Sequence, residues 1–455
     1  MEALQHLMSG FATALSPLNL LFATIGCILG TLIGVLPGLG PAAGPALLIP
    51  ITFKLEPTSA IIMLAAIYYG AMYGGTITSV LVNVPGEAAS GVTCLDGYEM
   101  AKRGRAGAAL GIAAIGSFIG GSIATLGLVV MALPLSRFAL KFGPPEYFSL
   151  ILVGLSLVMA LAGKSLTKAL VMGIVGLIFS FVGIDPIEGA PRFDFGITPL
   201  LAGIRFVPVV MGFFGIGEIL LNAEKSLANV VVEEGKVSSF LPKRDEWRIC
   251  ASSINRGTWL GFFLGLIPGT NSAVASFMSY AVEKKVSKHP EKFGTGIIEG
   301  VAAPETANNS YANAALIPLF TLGIPGSPTV AILMGALIMN GLTPGPLLFS
   351  HHAPFVWAVI ASLYIGNVIL LILNLPMVNL WAKLLKIPYN ILVVFILVFC
   401  IIGSYSLNNS VFDVGMMIFC GLLGYMFKKL DFPLAPAILT LILGPQMERS
   451  LRESL

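Results

Sequence analysis

An all-α polytopic membrane protein made of two inverted-topology repeats is the fold class this sequence predicts. Three observations predict it: a very apolar composition, an excess of glycine and proline, and a duplicated pair of Pro-Gly motifs around which loop charge changes side. Of 455 residues, 56% are hydrophobic and only 11% charged, with a mean hydropathy of +0.90. Soluble domains carry about 25% charged residues, so this chain lacks the charge to cover a water-facing surface. Apolar runs recur throughout, approximately at 18–36, 39–53, 58–83, 88–101, 107–134, 146–163, 166–184, 197–222, 255–267, 270–282, 296–322, 327–340, 353–379, 388–404, 410–427 and 432–446. A simple span needs about 20 apolar residues. Several of these runs are shorter and joined in pairs by Pro-Gly, which predicts broken helices or re-entrant hairpins.

The composition also excludes other classes. Net charge is +3 without a basic stripe, so nucleic acid has no electrostatic footprint to meet. The five cysteines (Cys27, Cys94, Cys250, Cys400 and Cys420) are odd in number and show no paired spacing, which argues against a disulfide framework or a zinc site. A cleaved signal peptide needs a basic start, and the first basic residue is Lys54.

The 51 Gly and 29 Pro mark the duplication. Gly30, Gly34-Val35-Leu36-Pro37-Gly38 and Ala42 recur 231 residues later as Gly261, Gly265-Leu266-Ile267-Pro268-Gly269 and Ala273. Val84-Pro85-Gly86 recurs 240 residues later as Ile324-Pro325-Gly326. Two motifs in order at nearly one offset indicate an internal repeat. The first repeat is assigned to residues 1–223, a cytoplasmic linker loop to 224–254, and the second repeat to 255–455. Each repeat is expected to hold one re-entrant hairpin, one Pro-Gly-broken helix and about four further transmembrane helices.

Short cytoplasmic loops are rich in Lys and Arg. In the first half only Lys54 precedes the broken helix, and Lys102, Arg103 and Arg105 follow it. In the second half Lys284, Lys285, Lys288 and Lys292 precede it, and no basic residue lies between Gly341 and His352. Five crossings per half place the second copy upside down, as an inverted repeat requires. Lys164, Lys168, the linker, Lys383, Lys386, Lys428 and Lys429 then fall in the cytoplasm, with Arg137 and Lys141 as exceptions outside. Asp96, Glu99 and the neighbouring basic residues are expected to form a solvated loop. His351-His352 is expected at the outer mouth, without a third metal ligand nearby.

A broken membrane helix frees backbone groups that only protein or a water-filled cavity can satisfy. Small and polar residues follow each break, and restarted helices present positive dipole ends suited to a carboxylate. The expected substrate-binding residues are therefore Pro37, Gly38, Leu39, Gly40, Pro85, Gly86, Glu87, Gly269, Thr270, Asn271, Ser272, Pro325, Gly326 and Ser327. No basic residue sits beside the four breaks in sequence, so the anion would be held by dipoles and amides. Moving an anion inward against the membrane potential costs about 2.3 kcal/mol per charge per 100 mV, which calls for coupled cations. Glu305, Asn309 and Asn313 recur at i, i+4 and i+8 on one helical face. Together with Asn308, Tyr69, Tyr73, Thr76 and Thr78 they form the expected cation or polar face. Glu299 is assigned to the cytoplasmic rim.

Several of these motifs resemble one family: Gly34-Val-Leu-Pro-Gly-Leu-Gly-Pro, Tyr69-Gly-Ala-Met-Tyr-Gly-Gly-Thr, Val84-Pro-Gly-Glu, Asp96-Gly-Tyr-Glu-Met-Ala, Ala303-Pro-Glu-Thr-Ala-Asn-Asn and Gly341-Leu-Thr-Pro-Gly-Pro. That family is the large membrane subunit of tripartite tricarboxylate transporters, TctA, and the resemblance covers nearly the whole chain. One departure is Thr306, where the family often has Ala. The resemblance implies a multi-pass carrier of the bacterial inner membrane, taking citrate-like carboxylates and driven by Na⁺ or protons. It implies as partners a small membrane subunit and a periplasmic solute-binding protein; a homodimer is left open. No cofactor is expected beyond the coupling ion. Alternatives are a carrier that needs no binding protein, a passive channel and an integral-membrane enzyme. The enzyme reading is set aside because no His-Glu-x-x-His pair, aspartate-rich motif or intramembrane Ser/His pair is present.

Overall fold

The computed structural model describes residues 2–36, 39–161, 165–224, 241–243, 246–384 and 389–455. Pro37, Gly38, Lys164, Lys386 and most of the expected linker lie outside the described residues. The first half runs α1 (Glu2–Ala14), α2 (Pro17–Val35), α3 (Gly40–Thr52), α4 (Pro57–Val82), α5 (Thr93–Lys102), α6 (Ala106–Ala139), α7 (Pro144–Leu161) and α8 (Leu166–Ser180). A small antiparallel hairpin follows, β1 (Gly183–Ile184) with β2 (Pro191–Arg192), and then α9 (Phe206–Met211) and α10 (Gly217–Glu224), joined by a π-helical turn. The second half runs α11 (Glu246–Gly265), α12 (Ser272–Val286), α13 (Glu299–Ala314), α14 (Leu316–Leu322), α15 (Pro328–Met339) and α16 (Pro346–His351). It ends with α17 (Ala353–Asn374), α18 (Val378–Leu384), α19 (Tyr389–Asn408), α20 (Val411–Lys429) and α21 (Ala435–Ser454).

Among the described residues, seven helical segments are long and apolar enough to cross a membrane: α2, α4, α6, α7, Phe206–Glu224, α17 and α20. The protein is thus an all-α polytopic membrane protein. Local sequence explains many helix starts. Pro occupies the first turn of α2, α4, α15 and α16, where its missing N–H costs nothing. Asn271, Ser327, Ser165 and Ser410 cap helices by accepting backbone N–H groups, satisfying donors a helix start leaves free.

All four expected breaks are interruptions between helices: α2/α3, α4/α5, α11/α12 and α14/α15. The α4 and α14 breaks begin alike. Asn83 (φ 55°) and Gly323 (φ 73°) are left-handed caps immediately before Val84-Pro85-Gly86 and Ile324-Pro325-Gly326, and a left-handed residue is a common way to end a helix.

The halves also repeat one packing arrangement. α2 lies on α4, and α11 lies on α13. A Cβ added at Gly26, Gly30 or Gly34 would come within 2.5 Å of the carbonyls of Met63, Ile67 and Ala71. The equivalent glycines Gly257, Gly261 and Gly265 press on the carbonyls of Ala303, Ala307 and Tyr311, where a Cβ would lie 2.4, 2.2 and 2.8 Å away. Small residues permit such backbone approach between membrane helices. The consequence is burial: the span window of α4 and every residue of α13 are enclosed by protein. Both helices can therefore carry polar groups that lipid would exclude.

Some boundaries differ from expectation. The run 296–322 divides into α13 and α14, because Pro318 has no N–H to offer the Ala314 carbonyl. The segment expected to end near residue 134 continues to Ala139 with Pro134 inside it. Helix α11 begins at Glu246, inside the stretch assigned to the linker, and Glu246 receives the Lys243 N–H (2.9 Å) and the Arg105 guanidinium (2.6 and 2.7 Å).

The expectation of a solvated loop around Asp96 is overturned. Asp96 is fully buried on α5 and accepts N–H groups from Gly294, Gly296 and Ile297 and the Tyr280 hydroxyl (2.7–3.1 Å). Four donors satisfy a carboxylate that the charged sequence context had suggested was solvated. The bond ties the segment after the first-half break to the loop before α13.

Candidate functional site

The polar interior lies where α4, α5, α6 and α13 meet. Glu305, 1% exposed, sits on α13 and accepts the Thr76 hydroxyl at 2.6 Å and the Thr93 hydroxyl. Glu87, 4% exposed, sits in the break after α4 and accepts the Asn308 amide at 2.6 Å. Among the described residues, neither carboxylate has a Lys or Arg partner. Asn309 donates to Ser117 Oγ at 2.7 Å, and Ser117 donates to the Glu305 carbonyl at 3.3 Å. Asn313 accepts from Thr125 at 2.9 Å and donates to the Asn309 carbonyl at 2.9 Å.

The spacing-based face is therefore real geometry, divided between neighbours. Glu305 turns to α4 and α5, and Asn309 and Asn313 turn to α6. Asn308, on the same helix, reaches Glu87, so Glu87 shares the polar network of the α13 residues although the sequence had grouped it with the substrate-binding breaks. Thr78 instead closes on the Gly75 carbonyl (3.0 Å). Tyr69 and Tyr73 are buried with their hydroxyls unpartnered. Also unpartnered are Tyr68 OH, Glu87 Oε2, Asn308 Oδ1 and Asn309 Oδ1. Buried polar atoms are normally satisfied, so this concentration sets the polar interior apart as the candidate site. A gap of about 10 Å³ lined by Tyr73, Thr76, Ser117 and Asn374 adjoins it. Among the described residues, no three His, Cys, Asp or Glu side chains converge as a metal centre.

The second-half breaks line a separate cavity of about 290 Å³. Gly269, Thr270 and Asn271 come from one break and Gly326, Ser327 and Pro328 from the other, with Val158, Phe214, Lys428, Phe432 and Leu439 among the remaining walls. Gly269 N–H donates to the Gly326 carbonyl at 3.0 Å, joining the two breaks. Tyr311 donates to the Thr270 carbonyl at 2.7 Å, and Thr270 Oγ1 donates to the Leu264 and Ile267 carbonyls at 2.7 and 2.8 Å. Ser272 begins α12 beside it, and Pro325 precedes the lining.

The first-half breaks are mixed: Pro85 is exposed, whereas Leu39 and Gly86 are buried. A Cβ on Gly86 would lie 2.1 Å from the Gly34 carbonyl. Gly40 has φ +66° with open space around it. Glu299, expected at the rim, is buried and accepts from Ser287 at 3.1 Å.

Sequence reasoning missed Thr93, Ser117, Thr125 and Lys428. Ser117 and Thr125 share a face of α6 with Gly121, a small-and-hydroxyl pattern that could have flagged them. Lys428 left no signal, because the fold brings it to the breaks from a distant helix. It corrects the expectation that no basic side chain stands beside the breaks.

Comparison with known proteins agrees with the resemblance. The model of the "Tripartite tricarboxylate transporter TctA family" matches residues 20–439. The chain is 48% identical over 455 residues to the "Uncharacterized 52.8 kDa protein in TAR-I ttuC' 3'region" of Agrobacterium vitis, covering 100% of this chain and 90% of the relative. It is also 48% identical over 195 residues to the "Uncharacterized protein in TAR-II ttuC' 3'region" of the same organism, covering 43% of this chain and 81% of that relative. No solved structure matches. The chain belongs to the tripartite tricarboxylate transporter TctA family: it is a multi-pass membrane subunit that works with other subunits of a transporter, and the family is one of transporters, not enzymes.

Proposed function

We propose that this chain carries a citrate-like di- or tricarboxylate across the bacterial inner membrane by alternating access, coupled to Na⁺ or H⁺. A periplasmic solute-binding protein delivers the substrate, and a small membrane subunit completes the complex. The observation that carries this reading is the pair of buried carboxylates, Glu87 and Glu305, without a basic partner among the described residues. An isolated charge in a low-dielectric interior costs several kcal/mol unless a cation or proton accompanies it. Such a site therefore takes up a cation together with its negative charge. The duplicated glycine contacts and paired left-handed caps support two copies of one unit, and the reversed loop charge supports their opposite orientation in the membrane.

The test is uptake by reconstituted vesicles across a carboxylate panel, with and without Na⁺ and pH gradients. The reading predicts accumulation of one carboxylate class that depends on one of these gradients. Equal, gradient-independent leakage of all anions would favour a passive channel. Full uptake in cells that lack the binding protein would favour a self-sufficient carrier.

A further inference from the structure

The cavity at the second-half breaks has one charged side chain in its wall, Lys428. Lys428 comes from α20, and its ammonium pairs with Glu218 of α10, which is not among the cavity-lining residues. The ammonium also lies 5.9 Å from the centre of the Phe214 ring, another wall of the cavity. The side chain is 23% exposed, so it is reachable from the cavity while partly screened by apolar walls.

We propose that Lys428 is the cationic contact for one carboxylate of the transported substrate, and that the substrate competes with Glu218 for this ammonium. The proposal rests on the carrier reading above and names the group that recognises the anion. The remaining cavity chemistry is complementary. The side-chain oxygens of Asn271 and Ser327 are already engaged as caps, accepting from Val274 N–H at 2.9 Å and Val330 N–H at 3.3 Å. They therefore brace the starts of α12 and α15 and leave the positive ends of both helices directed at the cavity. Two such ends supply about one positive charge together. With Lys428 the lining carries about two, of which Glu218 behind the wall offsets about one, so the cavity favours an anion and coupled cations balance the rest of a dicarboxylate. The apolar walls formed by Val158, Phe432 and Leu439 suit a carbon skeleton between carboxylates. When the substrate is absent, Glu218 neutralises the lysine. When it leaves, Glu218 recaptures the lysine, which limits how tightly the anion is retained.

The experiment compares variants in vesicles, using whichever of citrate, succinate or malate the wild type accumulates. Lys428→Gln is expected to raise KM at least tenfold, and Lys428→Arg to recover part of that loss. Glu218→Gln, which removes the competitor, is expected to leave KM equal or lower. Lys429→Gln, at an exposed pair with Glu224, serves as the control and keeps wild-type kinetics. Should the Lys428 variants not reach the membrane, the wild-type protein answers by footprinting: the substrate protects Lys428 from amine acylation and leaves Lys429 reactive. Unchanged KM in Lys428→Gln, or no protection of Lys428, overturns the proposal. Equal protection by inorganic phosphate overturns the carboxylate assignment in favour of a general anion or lipid-headgroup site. Failure of the wild type to accumulate any of the three acids counts instead against the carrier reading.

Discussion

A Cβ on Gly86 would meet the Gly34 carbonyl at 2.1 Å, whereas a Cβ on the equivalent Gly326 would stand 3.7 Å from the equivalent Gly265 carbonyl. This glycine contact is thus tighter in the first copy than in the second, whose breaks are joined instead by the Gly269–Gly326 hydrogen bond and line a cavity of about 290 Å³. Chemistry differs as well. The first copy places a carboxylate in its break, Glu87, where the second has the capping Ser327. The second places a carboxylate on its buried helix, Glu305, where the first has Ala65. On the proposed two-repeat reading, one scaffold is used twice with its charges placed differently, and both carboxylates lie in one polar interior. On the proposed carrier reading this difference corresponds to a division of labour, with cations held at the Glu87–Glu305 interior and the anion in the second-half cavity.

The largest expected effect tests the cation side of that division. Glu305→Ala should reduce uptake more than ~100-fold, corresponding to loss of a buried charged contact of about 3 kcal/mol, while the protein still inserts in the membrane. Asn309→Ala, which removes the amide that holds Ser117, should lower uptake about tenfold. Normal transport by both variants would remove this cluster from the mechanism.

The next test concerns the packing contrast. Gly86→Ala must displace backbone at two contacts and should destabilise the protein by about 1–3 kcal/mol, visible as a lower melting temperature in detergent. Gly326→Ala meets only ordinary contacts in this arrangement and should fold normally. If the second copy closes as tightly as the first during transport, Gly326→Ala should still slow turnover. Equal melting temperatures for the two variants would erase the contrast.

Orientation is tested by labelling single cysteines at Lys102 and Lys285 in intact cells. Both should react only from the cytoplasm. Labelling from opposite sides would end the inverted-repeat account.

The smallest effect lies away from the site. Asp185, beyond the spanning helices, is held well below the usual carboxylate range chiefly by Arg192, with backbone N–H groups of Glu188 and Ile187 and then Arg452. The hairpin β1–β2 is thereby fastened to α21, as Arg452 and Glu448 lie on that helix. A carboxyl group depressed in the folded state contributes stability above its unfolded value, about 3.9, and loses it as pH falls through the folded value. Amide exchange of α21 should therefore be flat from pH 5 to 8 once intrinsic rates are removed, and should rise only in strong acid. Asp185→Asn should loosen α21 at neutral pH.

Much of the scaffold was legible in the sequence because its causes are local. Pro-Gly ends a helix wherever it falls, and Asn83 and Gly323 tolerate the left-handed cap. Glu305, Asn309 and Asn313 share a face by helical spacing alone. What remained hidden depends on contacts between distant segments. Nothing near Asp96 announces the backbone donors at Gly294, Gly296 and Ile297 that bury it, and nothing near Lys428 announces the breaks it joins. The charged surroundings of Asp96 pointed the wrong way, since composition reports a neighbourhood in sequence and not in space.

The central claim is that carboxylate and cation occupy linked sites, and linkage is reciprocal: a cation that tightens substrate binding is itself bound more tightly by the substrate-loaded protein. The most direct measurement is equilibrium binding of the transported carboxylate to purified wild-type and Glu305→Gln protein across Na⁺ concentration and across pH. The account predicts that wild-type affinity rises with one of these cations and that Glu305→Gln abolishes the dependence. Binding that is indifferent to both cations in the wild type, or a dependence that survives unchanged in Glu305→Gln, would contradict it.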